Sequence, residues 1–285
     1  MNRHHVIVVI IAIFVAAGIY WLVSEPDYTI TYIPQDRHAS EIDVLRRKAE
    51  SESASAMDWT ELASAYLAEA KFSGDPNLLE LAKEAADRVL QFDSPYRKNA
   101  LLVQTDVLQR RGDHEKALAL LDEIERETKE EPEALALRAA ALTSLGRFDE
   151  ALKTAIALVQ KRPSSAAHRT RALARENVGA LDEAERDFIA AIGLEEKTDL
   201  SDAIENRFVL ARFYFRKKEL GRARRVLSPA LKVSAEPRLN ILLGEIELAD
   251  GHEEKARSAF NLAYERDHDP KTLEHALSIK KAGAH

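Results

Sequence analysis

The stretch from Leu135 to Pro163, LALRAAALTSLGRFDEALKTAIALVQKRP, decides how the whole chain reads. Leu135, Ala139 and Leu142 fall at helical spacing before Gly146. Ala151, Ala155 and Leu158 form a second stripe after it, and Pro163 stands where that second helix must stop. Working outward, the same turn, a Gly or polar residue followed by charge and then Ala, recurs as Gly112–Ala117, Gly179–Ala184, Lys218–Ala223 and Gly251–Ala256, and Ala82 has the same downstream pattern. Successive alanines lie 35, 34, 33, 39 and 33 residues apart. Two helices of about 13 residues with two tight turns account for a period of about 34. Small alanines let paired helices approach closely, and because no single pair can bury its apolar face alone, the pairs must stack.

Composition agrees with an all-α reading. The 285 residues are 46% hydrophobic, with only 10 Gly and 9 Pro to supply turns. Cysteine is absent, which excludes disulfides, thiolate metal sites and cysteine nucleophiles. The balance of 41 basic against 48 acidic residues, a net of −7, carries no overall nucleic-acid signature.

These residues resemble the tetratricopeptide repeat (TPR) family, in its membrane-anchored bacterial form. The first unit carries the Trp–Leu–small–Tyr spacing in Trp59, Leu62, Ala63 and Tyr66. The third carries the Gly-to-Ala turn and closing Pro in Gly146, Ala151 and Pro163, and the last has Leu243, Gly244, Ala256, Phe260, Ala263 and Pro270. The resemblance implies a right-handed α-solenoid of about six helix-turn-helix units over 56–270, with 271–285 (Leu273, Ala276, Leu277, Ile279) as a capping helix and tail. Four departures stand out: extra residues Phe72–Leu78 between the first unit's helices, an insertion near Glu196–Ala203, Lys218 in place of Gly, and Arg207 where an apolar residue is usual.

The N-terminal part differs from the rest. Residues 6–23 form an uncharged run long enough, at roughly 27 Å of helix, to span a bilayer. Tyr20 and Trp21 sit at its far end, Arg3, His4 and His5 precede it, and Glu25 and Asp27 follow. This asymmetry predicts residues 1–5 in the cytoplasm and the repeats across the membrane. A cleaved signal peptide is the competing reading, with Val6–Val15 as its apolar region, although the run continues to Val23. Ala12, Ala16 and Ala17 offer a small-residue face through which two anchors would pack as a homo-oligomer. The linker 24–55 reads as an extended, solvated stalk at Tyr28–Ile33, with a short strand able to pair with a neighbouring chain as the alternative, then a short helix opened by Ser40 and Asp43 through Ile42, Val44, Leu45 and Ala49.

Chemistry is sparse. No phosphate loop, nucleophile elbow or HExxH motif is present, and no two His stand at metal-binding helical spacing, so the expectation is a non-enzyme without cofactor or metal. Charge distribution is more informative. Residues 204–238 hold ten basic side chains against Glu205, Glu219 and Glu236, a local +7. In TPR proteins the first helices of successive units line a concave groove. By that resemblance Arg169, Asn177, Phe208, Arg212, Phe215 and Arg216 face it, beside Asn99, Asp106 and Arg110. Guanidinium groups beside aromatic rings suit an acidic or extended peptide, whereas a merely solvated arginine face is the plain alternative. The carboxylate clamp of chaperone-binding relatives is not reproduced, since Leu102, Ala136 and Leu173 occupy groove sites. Nucleic acid is not expected as a partner. The expectation is a membrane-anchored scaffold or adaptor that assembles or stabilises an envelope complex. It would sit in a bacterial inner membrane with its repeats in the periplasm, given the bare anchor and absence of glycosylation sequons. An assembly factor or holdase for secreted chains, of the translocon-associated or cytochrome c maturation type, is the alternative.

Overall fold

The computed structural model describes residues 26–31, 40–73, 75–129 and 131–272. The expected span at 6–23 and most of the expected terminal helix lie outside these residues. Among the described residues no helix is long and apolar enough to cross a membrane. Thirteen helices are described: α1 (Ser40–Ala49), α2 (Ala56–Ser73), α3 (Pro76–Val89), α4 (Arg97–Arg110), α5 (His114–Glu127), α6 (Pro132–Ser144), α7 (Phe148–Lys161), α8 (Ser165–Asn177), α9 (Leu181–Gly193), α10 (Leu200–Arg216), α11 (Leu220–Val233), α12 (Pro237–Ala249) and α13 (Glu253–Asp267). No strand is assigned among the described residues.

From α2 onward the helices pack as six consecutive pairs, each pair also contacting the next. The alanines that set the period, Ala82, Ala117, Ala151, Ala184, Ala223 and Ala256, are all fully buried. A larger side chain at such a point would force the helices apart. Gly244 shows the same constraint at its limit, because a Cβ there would lie 2.7 Å from the Phe260 ring.

The turn signature has a definite geometry. Gly112, Gly146, Gly179 and Gly251 sit at φ between 73° and 81°. In each case the following residue's N–H bonds a carbonyl five residues back, as in Arg147 N to Leu142 O at 2.9 Å. This is the left-handed helix terminus that glycine favours. Lys218 adopts the same turn at φ 61°, with Glu219 N donating to Tyr214 O at 2.9 Å. Pro76, Pro132 and Pro237 open α3, α6 and α12 at the first helical turn, where a missing N–H costs nothing.

First helices of successive pairs touch one another, from α2 against α4 through to α10 against α12, and second helices make no comparable contact. The layer of first helices is therefore the tighter one, and the solenoid curves around it. The residues between Phe72 and Leu78 do not form the expected loop: α2 runs on to Ser73 and α3 begins at Pro76, so the insertion lengthens helices. Helix α1 packs on α2, burying Ala49 and setting Arg46 Nε 2.9 Å from the Tyr66 hydroxyl.

Residues 26–31 also depart from expectation. Instead of a solvated stalk, Tyr28 is only 6% exposed and joins the large apolar cluster of α8–α12, with Ile30 against its edge. Arg207 explains why. Its side chain is 1% exposed and donates from Nε to the Tyr28 carbonyl at 3.0 Å and from Nη2 to the Thr29 carbonyl at 3.1 Å, while Nη1 bonds Glu195. A buried guanidinium needs acceptors, and the N-terminal segment supplies two of them.

Candidate groove on the first helices

Helix α10 carries four of the six expected site residues. At about 100° of arc per residue, Phe208, Arg212, Phe215 and Arg216 share one face of it, roughly 120° from the face bearing Arg207 and Tyr214. Phe208 and Phe215 lie half-buried against the core. The Arg212 guanidinium lies over the Phe208 ring, 5.6 Å from its centroid, and Arg238 from α12 approaches the same ring at 4.7 Å. Among the described residues Arg212 makes no ion pair; besides the Phe208 ring, the guanidiniums of Arg216 and Arg238 and the carboxylates of Glu176 and Glu205 act on it from nearby. Desolvation, then the Arg216 charge, hold its pKa below the usual arginine value.

The remaining expected residues serve other ends. Arg169 is drawn inward from α8, where Nη1 bonds Asp202 and, at 2.7 Å, the Asn206 carbonyl oxygen; it ties α8 to α10. Arg216 shares the face of Phe208 and Arg212 but grips Glu176 on α8 through Nε and Nη2. The Asn177 amide bonds its own helix at the Leu173 carbonyl, 2.8 Å away, and is exposed. Farther up, Asp106 pairs with both Arg110 and, across to α2, Lys71.

The +7 of residues 204–238 is similarly reduced in space. Lys217 and Arg222 share Glu185 and Glu219, Arg224 holds Glu247 and Asp250, and Arg238 holds Glu205 and Glu236. Three of these six carboxylates, Glu185, Glu247 and Asp250, lie outside the segment, so a charge count along it overstated the patch. What survives is a small site: one guanidinium without an ion pair, two aromatic rings and a second guanidinium on the Phe208 ring. Arg238 is the member that sequence reasoning missed. The signal was available, because Arg238 lies 33 residues after Glu205, one repeat along. Among the described residues no group of three His, Asp or Glu is arranged to hold a metal ion.

A family model described as anaphase-promoting complex, cyclosome, subunit 3 matches residues 77–158. Among solved structures, a thermophilic TPR protein of Thermus thermophilus is similar at 21% identity and a TM-score of 0.52, covering 65% of this chain and 98% of that one. A chain of the APC/C hetero-tetramer Cut9-Hcn1 is similar at 13% identity and a TM-score of 0.70, covering 85% of this chain but 46% of that one. No curated protein sequence matches significantly. The described chain thus has the fold of TPR proteins, an all-α solenoid of stacked helix pairs.

Proposed function

We propose that this protein is a non-enzymatic scaffold, held at a bacterial inner membrane by residues 6–23, whose periplasmic repeats bind a protein partner and so stabilise an envelope complex. The observation that carries the binding site is Arg212. It is exposed on the inner layer of helices without an ion pair, over the Phe208 ring and on the face shared with Phe215, and its accessible charge favours an acidic or extended peptide segment as ligand. Anchoring concentrates such a site at the membrane, so that modest affinity yields useful occupancy.

The test is in-cell crosslinking of the full-length chain, purification in mild detergent, and comparison of wild type with Arg212→Glu. One or two stoichiometric envelope proteins are expected, with capture reduced at least tenfold in the variant, a difference of about 1.4 kcal/mol. Helicity should be unchanged, since Arg212 holds no helix to another. Equal capture overturns the groove, and a long list of substoichiometric secreted chains overturns the scaffold in favour of a holdase. Arg216→Glu is the poorer probe, because it also breaks the Glu176 pair.

A further inference from the structure

The slot that receives Tyr28 has the features of a peptide-binding site, distinct from the groove. It lies between α9, α10 and α11. Tyr28 enters among residues that include Phe188 of α9, Tyr214 of α10 and Ala223 of α11. At its base the Tyr214 hydroxyl bonds Glu185 at 3.0 Å and receives Arg222 Nη2 at 2.6 Å. Burial and the adjoining Tyr28 hydroxyl push the Tyr214 phenol well above its usual range. Arg207, itself buried, is fixed by Glu195, with Nε and Nη2 both directed at successive main-chain carbonyls.

That arrangement differs from the other repeats at the equivalent register. At that register the first three units carry the apolar Trp59, Leu101 and Leu135 and the fourth and sixth the polar His168 and Asn240, so Arg207 is the one guanidinium among the six. Packing alone would be served by another apolar residue there. A guanidinium that reads two consecutive carbonyls is instead what recognition of non-helical main chain requires. The occupant meets the solenoid by little else: one buried ring, one partly buried Ile30, and an internal turn in which Asp27 accepts the Thr29 N–H. Its departure would open the slot to water, which can then hydrate the two guanidinium nitrogens it leaves, while Arg207 keeps its Glu195 partner.

We propose that this seam is a second peptide-binding site of the solenoid, specific for a non-helical segment with a tyrosine followed by two free carbonyls, and that residues 26–31 are its built-in, releasable occupant. The chain's lack of cysteine makes the test direct. A single Ile30→Cys is placed in the full chain in mild detergent, and its maleimide labelling rate is compared with that of exposed Thr31→Cys. Slow labelling at position 30 is expected. Arg207→Met and, separately, Tyr28→Ala should each accelerate it at least tenfold. A synthetic peptide of residues 26–33 should accelerate it saturably by occupying the slot whenever the segment leaves. In the chain without added cysteine, chymotryptic cleavage after Tyr28 should follow the same order.

Labelling at position 30 as fast as at 31 overturns the docking. Labelling that is slow, and indifferent to millimolar peptide while both variants accelerate it, makes the segment a permanent part of the fold and overturns the site. Two variants keep the test decisive if one of them fails to fold, because Tyr28→Ala alters only the occupant and leaves the slot untouched.

Discussion

At the scale of single residues, Lys218 is informative. It holds the left-handed turn that four glycines hold elsewhere in the solenoid, at φ 61° and with the same turn hydrogen bonds. For a side chain with a Cβ that conformation costs about 1 kcal/mol or more. Lys218→Gly is therefore expected to stabilise the protein by about 0.5–1 kcal/mol after allowance for the freer unfolded chain, seen as a rise of a few degrees in melting temperature by circular dichroism. A fall in melting temperature would mean that the lysine side chain contributes more than its backbone strain costs. The departure was visible in the sequence because the register fixed by Ala184 and Ala256 put Lys218 at the glycine position. Arg207 was visible in the same way, but its role was not. Its partners Tyr28 and Thr29 are about 180 residues away and carry no repeat pattern, so nothing local connected them.

At the scale of elements, helix starts and inter-repeat charge pairs explain what was and was not legible. The start of α2 is a reciprocal cap. The Ser55 N–H donates to Asp58 Oδ2 at 2.8 Å, the Asp58 N–H approaches Ser55 Oγ at 3.4 Å, and Lys48 of α1 reaches the same carboxylate at 2.7 Å. Hydrogen bonds from Lys48 and then Ser55 lower the Asp58 pKa from 3.8 to about 2. A depressed carboxylate contributes stability above pH 4 that is lost as the pH falls through about 2. Asp58→Ala should accordingly cost about 1 kcal/mol at pH 7 and clearly less at pH 2, where the carboxylate is about half protonated, read from denaturant midpoints at the two pH values. An equal cost at both would place the contribution in packing. The Ser55–Asp58 box is a local pattern open to the sequence, whereas the Lys48 contact exists only because α1 folds back on α2. Pairs between neighbouring repeats were hidden differently. Lys98 with Glu131, Arg169 with Asp202 and Arg238 with Glu205 are each offset by 33 residues, a correspondence that appears only when charges are compared one period apart.

At the scale of the whole molecule, a solenoid's stability is close to a sum over neighbouring repeats, so a weak middle unit divides it. The fourth unit is such a unit. Between α8 and α9, where other pairs bring apolar side chains together, His168, Arg171 and Arg175 converge on Asp187, itself 3% exposed. Burial opposes its ionisation, but Arg171 and then Arg175 outweigh that and hold its pKa below the usual value. Asp187→Ala leaves two partly buried guanidiniums unpaired and is expected to cost about 3 kcal/mol. Because the loss falls mid-solenoid, calorimetry should resolve two unfolding steps in place of one; a single sharp transition at unchanged temperature would refute the weak-unit argument. The fold and its period were legible throughout, whereas the closing of residues 26–31 onto α10 was not, since stacked repeats contact only their neighbours. That one distant contact bears on biosynthesis. The segment leaves the ribosome before the repeats, yet its slot is complete only once α11 has followed, some 200 residues later. At about 5–20 residues per second Tyr28 waits unsheltered for on the order of ten to forty seconds, an interval in which a chaperone, an insertion machinery or another copy's finished slot competes for it.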